Sequence, residues 1–273
     1  MTWSTVVVAD TVLLLELLPG YGIPLYITDP GGHCEFRNAR WRKGLRFPAQ
    51  QWVHAIAARG VPCTPVLGRV FHFDELDVTW RRGPRDPEVL HQHHARLAAL
   101  ATALTVKVAD LGVCGSALYK TTDHRGDFDF VVFEREPRSP AWAAVCRLAG
   151  GCQIDGIPYH LRFRLPGHDG WHDPHFTAPC ALSDAIVTGQ AQPIGTARLN
   201  GHVVTQAAHG HHAPAHYQLD TGHDLVSFRF GHSGLFHVGD RLTTANALPL
   251  VTWHGMASFV VSNGDQHVEV WRQ

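Results

Sequence analysis

Between Leu111 and Glu134 the chain reads LGVCGSALYKTTDHRGDFDFVVFE, and this stretch constrains the fold more than any other. An apolar run delivers Gly115 and Ser116 to a turn. Eleven residues after Ser116, Asp127 and Asp129 open a second run that is otherwise wholly apolar. Strand alternation puts Asp127, Asp129, Val131 and Phe133 on one face and Phe128, Phe130 and Val132 on the other, so the two carboxylates point the same way, about 7 Å apart at the backbone. Left bare, such a pair would repel and be costly to desolvate; a divalent cation removes that penalty and turns the pair into a clamp for phosphate oxygens. Gly115 lets the backbone approach a ligand closely, and amides at the following helix start, with the Ser116 hydroxyl, suit a triphosphate. A D-x-D alone has a plainer reading as an acidic strand end facing water; the Gly-Ser turn at this spacing is what points to metal and nucleotide chemistry.

Gly-Ser followed after a short gap by Asp-x-Asp resembles the nucleotidyltransferase superfamily, which includes the minimal and antibiotic-modifying nucleotidyltransferases. The layout is also similar to uncharacterised archaeal and bacterial proteins with a predicted nucleotidyltransferase domain, in which a mixed N-terminal segment precedes the G-x-x-GS and D-[IF]-D block and a β region follows it. Gly195 to Tyr217 and Gly234 to Leu242 resemble stretches of that β region, more loosely than the central block does. The resemblance implies that Asp127 and Asp129 ligate Mg²⁺ in a two-metal site and that Gly115 and Ser116 hold the β and γ phosphates of a nucleoside triphosphate. An acceptor hydroxyl or phosphate, on a small molecule or RNA, then attacks the α-phosphorus and pyrophosphate leaves.

Two departures from that pattern stand out. Lys120 occupies a position where many members carry glycine; it either reaches a phosphate or narrows the pocket. The third carboxylate has no clean match, because the candidate strand reads IPYHLRFRL. Asp155 precedes it in an Asp-Gly turn that explains the residue by itself, or else it is the third acid. His160 as proton acceptor and Arg162 as charge stabiliser and phosphate contact are the functional readings of that strand; ordinary strand residues are the plain one.

The expected fold is α/β (α+β): a nucleotidyltransferase-like mixed-sheet core at 87–180, between a small mixed region at 1–86 and a C-terminal antiparallel β barrel or sandwich at 181–273. The first region combines apolar runs Thr11 to Leu18 and Ile23 to Ile27 with a helix over Pro48 to Arg59. The turn-rich Arg81 to Pro87 marks the first boundary, followed by helical spacing to Val106, a strand from Val108 to Cys114, a strand Phe128 to Phe133, a helix Ala141 to Leu148 and a strand Ile157 to Leu165. After Pro179 alternating segments with frequent glycine, such as Ala197 to Val204, read as all β.

Composition narrows the setting. Lys plus Arg number 23 against 24 Asp plus Glu, a formal net charge of -1, so no global positive field supports non-specific binding to nucleic acid or anionic membrane. The longest apolar stretches are too short to span a bilayer, and no charged segment precedes an apolar run near Met1. Six cysteines without a C-x-x-C pair, in a chain this long, argue against a disulfide scaffold and for a reduced, cytoplasmic protein. Cys114, inside an apolar strand, reads as packing. The basic, aromatic segment Phe36, Arg37, Arg40, Trp41, Arg42, Lys43 and Arg46 is either a solvated loop with Trp41 packed on the core or a phosphate or nucleic-acid surface. Clusters at His168, Asp169, His172, Asp173 and His175 and at His209, His211, His212 and His216 suit zinc chemically, but His91, His93 and His94 also cluster on an expected helix, so 21 histidines in one chain read first as a compositional bias of the surface. Beside the enzyme stand two other readings: a nucleotide- or RNA-binding protein with a degenerate site, and a toxin-like enzyme that nucleotidylates tRNA or protein.

Overall fold

The computed structural model describes residues 1–44, 49–119, 127–134, 140–149, 152–154, 157–159, 161–205, 210–261 and 266–272. It divides into two units, one of Met1, Val6–Arg81 and Pro179–Gln273, the other of Thr2–Thr5 and Arg82–Ala178. Lys120, Asp155 and His160, along with Arg46 and His209, lie outside the described residues.

The N-terminal strands are β1 (Ser4–Val8), β2 (Val12–Leu18), β3 (Tyr21–Thr28), β4 (Cys34–Phe36), β5 (Ala39–Lys43), β6 (Thr64–Val66), β7 (Val70–His72) and β8 (Val78–Arg82), with helix α1 (Ala49–Ala57) between β5 and β6. They form one sheet in the order β4-β5-β3-β2-β1-β8, with the β6–β7 hairpin joined through β7 to β3. Val6, Val8, Val12, Leu14, Ile27, Phe71 and Phe73 pack there against Trp52 and Ile56 of α1. The run VLLLELL in β2 carries one charge, Glu16, which is buried and paired with Arg81 at 2.7 Å. In the basic, aromatic segment Trp41 is buried and donates to the Phe36 carbonyl, and Arg37, Arg40 and Arg42 each lie against a carboxylate, Asp10, Glu35 and Asp29.

The second unit opens with α2 (Pro87–Gln92), capped by the Asp86 side chain on the amides of Glu88 and Val89, and α3 (His94–Leu104), which ends at Thr105 in a left-handed conformation. The single helix expected up to Val106 is therefore two, broken at His93. Strand β9 (Leu111–Val113) is shorter than expected, because Val108–Asp110 form a 3₁₀ turn. Strand β10 (Phe128–Phe133), helix α4 (Pro140–Leu148) and the hairpin of β11 (Cys152–Ile154) and β12 (Ile157–Tyr159) follow. The extended strand expected to run to Leu165 stops at Tyr159, and Phe163 makes only a bridge to His172.

Strand β13 (His172–Thr177) completes a three-stranded mixed sheet, β13-β10-β9, parallel to β10 on one side with β9 antiparallel on the other. One face of β10 is apolar: Phe128 and Phe130 are buried, the Phe128 ring meets His93 and Arg96 of the α2–α3 segment, and the opposite face carries Asp129.

The C-terminal part begins with helix α5 (Ala181–Val187), where the sequence had suggested only β structure. Leu182, Ala185 and Ile186 recur at helical spacing and all are buried, a pattern too short to stand out. Next come β14 (Gln192–Ala197), β15 (Asn200–Thr205), β16 (Ala215–Leu219), β17 (Asp224–Ser227), β18 (Arg241–Thr243), β19 (Leu248–Trp253), β20 (Met256–Val261) and β21 (Glu269–Trp271). They make one eight-stranded sheet, β14-β19-β20-β17-β16-β15-β18-β21, antiparallel except for the β17–β20 pair. Its core is Leu199, Val203, Tyr217, Leu225, Phe236, Leu242 and Leu248. Among the described residues strands far outnumber the five α-helices, so the protein is mixed α and β with low helical content. No helix among them is long and apolar enough to cross a membrane.

Candidate functional site

The site is built on the face of β13-β10-β9 that the apolar side chains leave open. Asp127 immediately precedes β10 and Asp129 is its second residue. In register across the parallel pair, Asp129 stands opposite Asp173, so their side chains leave the same face of the sheet. Asp173 is thus a third carboxylate beside the expected two. The sequence offers Asp173 only as a ligand in a histidine-rich cluster, and the pairing of β13 with β10 is what sets it beside Asp129.

Arg162 ties these acids together. Its guanidinium contacts both oxygens of Asp173 in a bidentate pair, with Nε to Oδ1 at 2.5 Å, and reaches Asp127 Oδ2 at 2.8 Å. Backbone hydrogen bonds between Phe163 and His172 hold the neighbouring segment against β13 and place Arg162 there. The Asp173 side chain is almost fully buried and Arg162 nearly so, while Asp127 is 42% exposed, so the cluster is closed at the sheet and opens to solvent at Asp127. Burial, reinforced by the Asp129 charge, pushes the Asp173 carboxyl up to about 6 even though Arg162 opposes it. His175, two residues on, places Nε2 at 3.6 Å from Asp129 Oδ1, with its ring 5.1 Å from that of buried Trp3.

The Gly-Ser bend faces the same acids. Gly115 adopts a φ of +60°, and a Cβ there would run into the Asp129 carboxylate. Only glycine fits so close an approach at that conformation. Gly115–Leu118 form a 3₁₀ turn that carries Ser116, and the Cys114 amide donates to the Asp129 carbonyl at 3.0 Å. Cys114 itself is packed away; burial raises its thiol far above the ordinary range, with Asp129 and Asp173 adding to the effect.

Of the residues singled out in sequence, Gly115, Ser116, Asp127, Asp129 and Arg162 therefore fall in one neighbourhood. Arg162, expected beside a phosphate, spends its guanidinium on carboxylates instead. The histidine segments are not simple surface. His172 is buried on the apolar face, its imidazole pushed down to about 4, chiefly by burial, while His175 lies on the acid face, so strand alternation separates them. His211 and His212 are also buried.

An all-oxygen carboxylate set of Asp127, Asp129 and Asp173 has the chemistry that a hard divalent cation requires. In the structure Arg162 is the cation among them, and His175 lies beside Asp129. Comparison with known proteins adds nothing to these observations: no family model, no curated protein and no solved structure matches the chain.

Proposed function

We propose that the chain is a divalent-metal-dependent nucleotidyltransferase that moves a nucleoside monophosphate from a nucleoside triphosphate to an acceptor hydroxyl or phosphate. The observation that carries this reading is the convergence of three aspartates with a Gly-Ser bend on one face of a small mixed sheet. Asp127, Asp129 and Asp173 would hold Mg²⁺, which when bound supplies charge neutralisation for the triphosphate and polarises its α-phosphate. Gly115 clears space for the phosphate tail, and the amides and hydroxyl of the Gly115–Leu118 turn would donate to it. Arg162, within reach of Asp127 and Asp173, keeps the acids from repelling one another. Free thiols at Cys34, Cys63, Cys114, Cys146 and Cys180 agree with work in a reducing cytoplasm.

One observation favours a second reading. Arg162 engages two of the three carboxylates, so it can act as a permanent internal cation in a protein that binds nucleotide or RNA without turnover.

Pyrophosphate release separates the two. The protein is incubated with Mg²⁺, each nucleoside triphosphate and a pool of small-molecule and RNA acceptors, alongside the Asp127→Ala, Asp129→Ala double variant. Release by the wild type alone supports the transferase; nucleotide binding without release from any pool supports the second reading.

A further inference from the structure

A separate constellation lies in the C-terminal part. Cys180 immediately precedes α5, and His216 and Asp224 lie on the adjacent antiparallel strands β16 and β17. Ala215, Tyr217, Leu219 and Leu225 fill the core on one face of these strands, so alternation sends His216 and Asp224 to the other face together. There His216 Nε2 lies 3.1 Å from Asp224 Oδ2, close enough for an ion pair though off the line of a regular hydrogen bond. The same imidazole lies beside the Cys180 thiol, near enough for each to bear on the other's charge. A nucleophile, a base and a carboxylate therefore stand in sequence, with histidine in the middle, an order shared by activated-nucleophile sites on unrelated folds.

The electrostatics agree with that order. Burial disfavours charge on both Cys180 and His216, yet their mutual contact overrides it, lowering the thiol below its ordinary value and, with the Asp224 carboxylate, raising the imidazole to about 9. Ser183 lies near enough to the sulfur to favour its anion without closing a regular cap hydrogen bond. Each group therefore favours the charged form of the other. Cys180 and His216 are only partly buried, which leaves the sulfur within reach of a small reagent, unlike Cys114.

We propose that Cys180, His216 and Asp224 form a second chemical site, a thiol nucleophile that accepts an acyl group from a thioester, activated ester or amide. The Cys180 thiolate attacks the carbonyl carbon and an S–C bond forms, while the carbonyl electron pair moves to oxygen. As that pair returns, the bond to the leaving group breaks, and the departing thiolate, alkoxide or amine takes the proton held on His216. Water or an amine then attacks the thioester carbon, giving its proton back to His216 as the S–C bond breaks. Asp224 acts through His216 as a positioning residue that keeps the imidazole protonated and oriented.

The test uses the full chain, p-nitrophenyl acetate and iodoacetamide, with adducts mapped by mass spectrometry. At about pH 6, where ordinary thiols are protonated, alkylation of Cys180 is expected to run at least about tenfold faster than that of Cys146, which is exposed and has a raised thiol pKa. The ester is expected to leave one acetyl group on Cys180, and Cys180→Ser to abolish the accompanying nitrophenol release. His216→Gln should move the pH profile of alkylation up to that of an ordinary thiol, and Asp224→Asn should move it part of the way. Alkylation of Cys180 no faster than that of Cys146, an unchanged profile in His216→Gln, or no acyl adduct on Cys180 would overturn the proposal. If His216→Gln does not fold, the wild-type rates of Cys180 and Cys146 still decide it.

Discussion

Asp129 and Asp173 are register partners on adjacent parallel strands, so their carboxylates leave one face of the sheet a single strand spacing apart, about 4.8 Å at the backbone. Two acids so placed, one of them almost fully buried, are stable only beside positive charge. Arg162 supplies it in the structure, and a divalent cation would supply it in the proposed reaction. Asp173 should therefore matter as much as the two acids of the D-x-D motif. Asp173→Asn is expected to weaken Mg²⁺ or Mn²⁺ binding by about a hundredfold. Isothermal titration of the variant against the wild type checks this, and unchanged affinity removes Asp173 from the site.

Arg162 offers a complementary test. Replacing it with Gln strands the buried Asp173 carboxylate, a loss of about 3 kcal/mol in the presence of EDTA. If the acids hold a cation, Mn²⁺ should restore much of that stability, by about 2.7 kcal/mol at a hundred times its Kd. Thermal unfolding with and without Mn²⁺ measures both. A variant as unstable with Mn²⁺ as without it would mean that the guanidinium is the permanent partner.

Gly115 is held at a positive φ against the Asp129 carboxylate. Gly115→Ala must displace either the bend or the acid, at an expected stability cost of about 1 kcal/mol or more. Pyrophosphate release should fall far more than that cost implies, because the displaced group belongs to the site. Parallel denaturant curves and activity assays separate the two effects.

Glu16 is buried in β2 and relies on Arg81, which also holds Glu75 through both of its carboxylate oxygens. Burial raises the Glu16 carboxyl pKa in spite of that contact. Arg81→Ala should destabilise the chain by about 2 kcal/mol, a figure discounted for the partial exposure of the arginine. Adding Glu16→Gln should recover part of the loss, since the stranded charge is then gone. Urea unfolding of the single and double variants checks this.

His232 sits buried in the C-terminal sheet region with Nδ1 2.8 Å from Ser227 Oγ, and burial, followed by the charges of Arg229 and His267, pushes its imidazole down to about 3. Below the ordinary value of about 6.5 the unfolded chain gains a proton that the folded chain refuses, so stability falls with falling pH by up to about 1.4 kcal/mol per unit. His232→Gln should flatten the dependence of the urea midpoint between about pH 7 and pH 4.

The local parts of the site were legible in the chain. An alternation of period two puts Asp127 and Asp129 on one face whatever surrounds them, and Phe128–Phe133 is the strand that this pattern predicts. The glycine at the bend was legible as a close approach, although not what it approaches. Asp173 was legible only as a member of a histidine-rich cluster, and pairing with β10 is what sets it beside Asp129. Helix α5 was hidden for a different reason: seven residues carry too few turns for a period to emerge.

What the sequence by itself determined is therefore the chemistry within reach of one turn or one strand: the Gly-Ser bend, the paired acids, the apolar faces and the balance of charge. Tertiary structure alone decided which distant residues meet them, bringing Asp173 and Arg162 to the first site and joining Cys180, His216 and Asp224 in the second. The physical reason is that backbone periodicity fixes the direction of a side chain relative to its near neighbours in the chain. Strand register and the burial of apolar faces, which depend on the whole fold, choose its partners in space.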